Sequence, residues 1–365
     1  MADSQTLSAS DPRTEAELSI ARREAVGVPE RALGRAEALA ILDDAVVPDD
    51  PSLDAAGWPI AAAMLQFPST VPGGRSVREA GADHWARQFR RMSRLGFSAV
   101  EIPSAWLPIA ELTTAERRTL TSALADAGLD VVATSMVRMS VIDPDPARAL
   151  AHLEATHRGI DAAAEIGSPI IGLGLHQPLT DRETSIPWFW TVTGAQDPPE
   201  REVWDLAVAR FQDLADHAAT VGVDISIEVY EGTFTDNADS MVAFLHDIDR
   251  PNVGVNPDLG NLMRPQSPIE PWEAMAVKLL PLANYWHVKN YSRIEDPVAG
   301  RYYSVPSTLP VGLVDYRKAV RYAIANGFRG AFLCENYGGD GLGVSADNAR
   351  YLRGLIADAI EEGRS

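Results

Sequence analysis

Four residues in four separate apolar runs have the chemistry of a metal centre. Glu228 lies in ISIEVYEG, Asp258 in GVNPDLGN, His287 in NYWHVKN and Glu335 in AFLCENYGGD. Three carboxylates and one imidazole make a hard, oxygen-rich donor set. Such a set prefers one Mn²⁺ or Mg²⁺ ion and leaves positions open for substrate oxygens, whereas structural zinc favours thiolates in a closed tetrahedron. Taken singly, each residue has an ordinary reading: a strand-end carboxylate pairs with a cation, Asp258 caps a helix, a lone histidine is structural. The order Glu, Asp, His, Glu on consecutive runs is what singles them out.

For these side chains to meet, the runs must be neighbouring strands. From Trp58 onward, short apolar runs alternate with longer amphipathic stretches, the pattern of parallel strands joined by crossover helices. Eight strands are predicted, at Ile60–Phe67, Ala99–Ile102, Val131–Met136, Pro169–Leu175, Asp224–Tyr230, Val253–Asn256, Asn284–Lys289 and Gly330–Cys334. Eight strand–helix units point to a closed (β/α)8 barrel rather than an open sheet. An open nucleotide-binding sheet would carry a glycine-rich phosphate loop after its first strand. The segment Phe67-Pro-Ser-Thr-Val-Pro-Gly-Gly has neither GxGxxG spacing nor a P-loop lysine.

In such a barrel the C-terminal strand ends converge on the active site. His176, in LGLHQP at the end of strand four, stands on the same rim, where a neutral imidazole could serve as an additional acid or base. Arg138 in TSMVRMS and Lys289 could orient substrate oxygens or pair with a barrel carboxylate. Two loops exceed what packing needs: His176 to about Glu202, carrying Trp188-Phe-Trp190, and Arg293 to about Pro310, carrying Tyr302-Tyr303. Trp188 and Trp190 offer flat surface for an aromatic substrate, with Tyr302 nearby, or they simply pack a loop.

Residues 1–56 read as an N-terminal helical extension, with amphipathic spacing over Glu15 to Asp44, and residues 57–365 as the catalytic barrel. The arm is expected to pack on the barrel or on another subunit. A net charge of −19 and a pI near 4.7 argue against nucleic acid and anionic membranes as partners. The single cysteine, Cys334, excludes an intramolecular disulfide and a Cys-rich zinc site. With no basic, apolar leader and no long uncharged apolar run, a cytoplasmic location is the expectation.

The four strand-end residues, with Lys289 two positions after His287, resemble the xylose-isomerase-like barrels, a superfamily of sugar isomerases, ketose epimerases and inosose dehydratases. The resemblance covers about residues 58–360. It implies that Glu228, Asp258, His287 and Glu335 ligate one divalent metal. It further implies that Glu228 and Glu335 move protons on opposite faces of a sugar, with proton abstraction beside a carbonyl as the shared step. The runs PWFWTVTGAQDP, NPDLGNLM, WHVKNYSR and ENYGGDGLGV, with GWPIAAAMLQF at the first strand, look like the catalytic α subunit of bacterial C-deglycosylation enzymes. Those enzymes cleave the carbon–carbon link between a 3-oxo sugar and an aromatic aglycone.

That likeness implies a lyase for 3-oxo-C-glycosides of flavonoids or anthraquinones, working with a small β subunit in a hetero-oligomer. Glu228 or Glu335 would take the C2 proton and His176 the phenolic one. The alternative is a metal-dependent epimerase, isomerase or inosose-type dehydratase acting on free sugars. A noncatalytic assembly subunit is a third reading. The nuclease relatives of such barrels should show more ligating histidines and a basic groove, and this acidic chain has neither.

Overall fold

The computed structural model describes residues 15–364. Eight parallel strands form the barrel: β1 (Ile60–Ala63), β2 (Ala99–Pro103), β3 (Asp130–Ser135), β4 (Ile170–Leu173), β5 (Asp224–Glu228), β6 (Val253–Asn256), β7 (Trp286–Val288) and β10 (Phe332–Cys334). Their order is β6-β5-β4-β3-β2-β1-β10-β7. All eight predicted strands are present, most of them shorter than the apolar runs that announced them. The seam between β6 and β7 holds one parallel bridge, Val255 to Ala283. There the Asn256 side chain accepts from the His287 backbone N–H at 2.8 Å, so a side chain replaces a ladder carbonyl at the join.

Strand side chains alternate between two cores. Ile60 and Ala62 face outward to the helices, while Ala61 and Ala63 face the barrel interior with Ala99, Ala133, Leu333 and Tyr285. Small alanines on several strands leave room for the Tyr285 ring, which is wholly buried. The outer helices form where the sequence caps them. Thr113 and Glu116 make a reciprocal capping box at the start of Thr114–Asp126, and Asp145 caps Pro146–Glu165 with proline in its first turn. Gly222 ends Arg201–Val221 at φ 71°, a left-handed conformation that favours glycine.

The second long loop is not irregular. Asn290–Asp296 (β8) and Arg301–Ser307 (β9) pair as an antiparallel hairpin projecting from the end of β7. The first long loop holds a short helix, Asp181–Thr184, and a 3₁₀ turn at Phe189–Thr191.

The N-terminal segment folds as two helices, α1 (Glu15–Ala25) and α2 (Arg35–Asp43), and both pack on the barrel. Arg22 is buried, paired with Asp236 and donating to Gln196 Oε1 at 2.9 Å, and Ser19 donates to Asp236 at 2.7 Å. Glu15 accepts from the Gln266 backbone N–H at 2.7 Å. These partners follow β4, β5 and β6, so α1 covers part of the face where the strand C-termini open. α2 lies over helices Trp272–Leu279 and Tyr316–Ala325, with Arg35 2.8 Å from the buried Glu273 carboxylate. The part of the expected arm before Glu15 lies outside the described residues.

Candidate metal centre and catalytic cavity

A cavity opens inside the C-terminal rim, walled by Glu101, His176, Glu228, His287, Lys289 and Glu335 among others. His287 Nδ1 lies 3.8 Å from Glu228 Oε1, 4.0 Å from Asp258 Oδ2 and 3.8 Å from Glu335 Oε2. Glu228, Asp258 and His287 each bring a ligand atom within 4.8 Å of the other two. Glu335 stands beside this triplet, its Oε2 accepting from Lys289 Nζ at 2.8 Å. Lys289 Nζ is also 2.8 Å from Asp258 Oδ2, out of hydrogen-bond alignment.

His287 Nδ1 and both Asp258 oxygens are buried without a hydrogen-bond partner. Buried polar atoms left unpaired cost about 1–3 kcal/mol each. Here they belong to one cluster of ligand-capable groups, and they fit a divalent cation. The donor chemistry fits too: carboxylate oxygens with a single imidazole suit Mg²⁺ or Mn²⁺.

Neighbouring groups fix these atoms in place. His287 Nε2 is 2.8 Å from Glu101 Oε2, which also accepts from Tyr285 Oη at 2.8 Å, while Glu101 Oε1 accepts from Ser135 at 2.9 Å. With three partners Glu101 is held in place; its Oε2 accepts from Nε2 of the ring, and Nδ1 faces the cluster. Asn261 donates to Glu228 Oε1 at 2.7 Å and to the Val229 carbonyl at 2.9 Å. Gly260 leaves space for Lys289: a Cβ there would come within 2.4 Å of Lys289 Cγ. Sequence reasoning missed Glu101, although a lone carboxylate inside the apolar run AVEIP was a usable signal.

The fields follow from burial and these neighbours. Burial pushes the His287 imidazolium down, but Glu101 and Glu228 outweigh it and lift its pKa to about 10, so without a metal ion a proton takes the Nδ1 position that faces the carboxylates. Burial raises Glu228 to about 7, with Asp258 and Glu335 adding to the rise and His287 and Lys289 opposing it. For Glu335 burial also pushes upward, but the Lys289 and His287 cations prevail and hold it near 2. Lys289, hydrogen-bonded to Glu335 and not to Glu228, with Tyr337, makes Glu335 the less basic of the two carboxylates.

His176 is buried at the same cavity, its Nε2 3.8 Å from Glu228 Oε2 and its ring 3.7 Å from the Tyr230 ring. Burial, then the cations Arg138, Arg264 and Lys289, hold it far below the usual histidine range, so it is a neutral imidazole. Gly174 makes its conformation possible: a Cβ there would sit 2.3 Å from His176 Nδ1.

Arg138 also borders the cavity, donating to Tyr230 Oη and, at 3.1 Å, to the Gln177 carbonyl. Trp188, Trp190 and Tyr302 are not among its lining residues. Trp190 is buried, its indole N–H given to the Ser304 carbonyl at 3.1 Å and its faces taken by Arg264, Tyr291 and Tyr337. Trp188 stacks on it with centroids 5.9 Å apart, and Tyr302 sits on β9 beneath Arg293. Trp190 instead lines an adjoining pocket with Arg138, Tyr230 and Arg264, and Trp188 is partly exposed.

The chain is a (β/α)8 barrel with a buried carboxylate–imidazole cluster at its strand ends. Residues 89–355 match the model of the xylose isomerase-like TIM barrel family, and the chain belongs to that family. The chain is 41% identical to a xylose isomerase-like TIM barrel protein from Mycobacterium smegmatis solved in complex with magnesium. That likeness has a TM-score of 0.80 and covers 84% of this chain and 99% of the other. D-psicose 3-epimerase from Clostridium cellulolyticum H10, solved with D-tagatose, shares the fold at 16% identity and TM-score 0.53, over 84% of this chain and 98% of that one. So does 3-keto-D-glucoside 4-epimerase from E. coli, at 15% and 0.54, over 81% and 99%. No curated protein matches the chain. Among the described residues, no helix is long and apolar enough to cross a membrane.

Proposed function

We propose that this protein is a divalent-metal-dependent carbon–carbon lyase that releases an aromatic aglycone, such as a flavonoid or anthraquinone, from a 3-oxo-C-glycoside. The observation that carries this reading is a third proton-handling group: neutral His176, 3.8 Å from Glu228, beside the carboxylate pair that an epimerase needs by itself. The resemblance of the runs around Trp188, Asp258, His287 and Glu335 to C-deglycosylation α subunits supports it, and with it a small second subunit in a cytoplasmic hetero-oligomer. Residues 57–365 would carry the reaction and residues 1–56 serve as an arm.

A Mn²⁺ or Mg²⁺ ion held by Glu228, Asp258, His287 and Glu335 would supply Lewis acidity that makes the C–H beside the ketone more acidic. The magnesium complex of the 41% identical relative and the oxygen-rich donors support that choice. His176 takes the proton of the phenol next to the glycosidic carbon and returns it to that ring carbon, converting a poor leaving group into a competent one. Glu228, the more basic carboxylate by geometry because Lys289 pairs with Glu335 instead, accepts the C2 proton. The C2–H pair becomes the C1–C2 double bond as the bond from C1 to the aryl carbon breaks. Its electrons restore the phenolate, and the C2 proton passes from Glu228 through His176 to that oxygen. The products are the free phenol and a 3-keto sugar with a double bond between C1 and C2.

A ketose epimerase, isomerase or inosose-type dehydratase on free sugars is the second reading. It is favoured by the position of Trp188 and Trp190 outside the cavity, where neither ring can stack on an aglycone bound at the metal cluster. NMR and chromatography in D₂O with Mg²⁺, on a 3-oxo-C-glucosylflavone and on free ketohexoses, separate the two. Aglycone release that is lost on chelation and in His176→Ala is the expected result. Deuterium uptake or epimer formation on the free sugar, with the glycoside untouched, would make the protein an epimerase.

A further inference from the structure

The rim of the catalytic cavity changes character around the ring of strands. The metal-capable groups stand on one arc: Glu228 at the end of β5, Asp258 after β6, His287 on β7 and Glu335 after β10. In a ring of eight strands, β1 to β3 lie across the mouth from β5 to β7. Above Glu101 and Ser135, that facing arc continues into loops that carry Leu65, Pro103, Ala105 and Val137, and all four line the same cavity. Leu65 lies in the 3₁₀ turn Met64–Gln66 that follows β1, and 42% of it is exposed. Ala105 is exposed as well, and Val137 is half-buried. Ser104 is the polar member of this stretch, while Arg138, next to Val137, is engaged by Tyr230 and the Gln177 carbonyl.

Strand order fixes what lies between the two arcs. β3, β4 and β5 are neighbours, so Val137, His176 and Glu228 follow one another along the rim. A substrate whose oxygens reach the metal ligands therefore has His176 at its flank and the apolar loops beyond. Covering Leu65, Ala105 and Val137 with an apolar group removes their surface from water and favours binding in proportion to the area covered. A polyhydroxylated group laid there would exchange hydrogen bonds to water for contact with apolar side chains. With its open mouth the cavity measures about 640 Å³. That volume is typical of pockets that enclose a drug-sized ligand.

We propose that Leu65, Ala105 and Val137 form the subsite for the part of the substrate that is not sugar, an uncharged aromatic ring held across the cavity from the metal ligands. The identity of that ring rests on the lyase reading. The placement sets the glycosidic carbon–carbon bond beside His176, where the polar and apolar arcs meet. It gives selection of the aglycone to the loops after β1, β2 and β3 in place of the loop that carries Trp188 and Trp190.

The test is equilibrium dialysis of 7-hydroxyflavone against the full chain loaded with Mg²⁺. This flavone lacks the adjacent hydroxyl and ketone that would chelate the ion, so its binding reports the apolar subsite. Wild type is compared with Leu65→Asp, Ala105→Asp and Trp188→Ala, each checked for folding by a thermal melt. Wild type and Trp188→Ala should bind equally, and the aspartate variants roughly tenfold more weakly or worse, the scale of a lost apolar contact in a pocket. On a 3-oxo-C-glucosylflavone, KM should rise by a similar factor in Leu65→Asp with kcat little changed. No binding to wild type, unchanged binding in the folded aspartate variants, or a loss confined to Trp188→Ala would overturn the proposal. Cleavage by wild type with KM unmoved in folded Leu65→Asp would sink the subsite and spare the lyase. Flavone binding that weakens in the aspartate variants, with no glycoside cleaved by wild type, would sink the lyase and spare the subsite.

Discussion

His287 and Glu101 meet through one contact, Nε2 to Oε2 at 2.8 Å, and that contact decides what His287 can do. It holds Nε2 on the side away from the cavity and turns Nδ1 toward Glu228, Asp258 and Glu335. Glu101 is not in line to ligate the ion itself, because its oxygens are taken by His287, Tyr285 and Ser135. Its part is positioning.

Replacing Glu101 by Gln should therefore weaken Mg²⁺ or Mn²⁺ binding roughly 10–100-fold while leaving the four inner side chains unchanged. Mn²⁺ titration followed by electron paramagnetic resonance reads this directly. Wild-type affinity in Glu101→Gln would mean that the ring is oriented by the backbone alone.

Metal and folding should be linked. An ion that binds the buried cluster only in the folded state at a hundredfold excess over its Kd adds about 2.7 kcal/mol to stability. Melting should therefore rise with Mg²⁺ and fall with chelator. In Glu228→Ala this dependence should vanish, and its persistence would place the ion elsewhere.

Gly174→Ala should act on His176 alone among the cavity residues, since the new Cβ would lie 2.3 Å from its Nδ1. Crowding of this kind costs about 1–3 kcal/mol. Turnover should drop at least tenfold with metal affinity intact. Full turnover would show that the observed His176 rotamer is not the working one.

Asp197 gives a pH dependence with a definite sign. Burial raises its pKa to about 7, against the pull of donors Gln177 and the Phe234 backbone N–H. A carboxyl raised above its unfolded value of about 3.8 stabilises the fold fully below that value, and the contribution is lost as pH climbs through 7. Denaturant unfolding between pH 4 and 8 should show stability falling in wild type and a flatter profile in Asp197→Asn. Parallel profiles would contradict the assignment.

Removing Arg22 should detach the N-terminal arm. Its partner Asp236 is buried with it, and a buried carboxylate stripped of its cation costs about 3–5 kcal/mol. Arg22→Ala should melt earlier and expose the α1 segment to protease. Unchanged melting would show that the apolar contacts of Leu18 and Leu42 hold the arm without the ion pair.

The sequence by itself determined the eight strands, their alternation with helices and the strand-end positions of Glu228, Asp258, His287 and Glu335. Those features are written in local periodicity and in the polar residue that closes each apolar run. It did not reveal the β8–β9 hairpin, because the alternation of RIED and RYYSV is weak and interrupted by Pro306. Nor did it show that Glu101 serves His287, 186 residues away, that Lys289 sides with Glu335 while His176 sides with Glu228, or that the Trp190 indole N–H is given to Ser304. Each of these depends on which side chains a closed barrel turns toward one another. Closure and strand register, set by the whole ring of strands at once, fix those directions, and no single segment of the chain contains them.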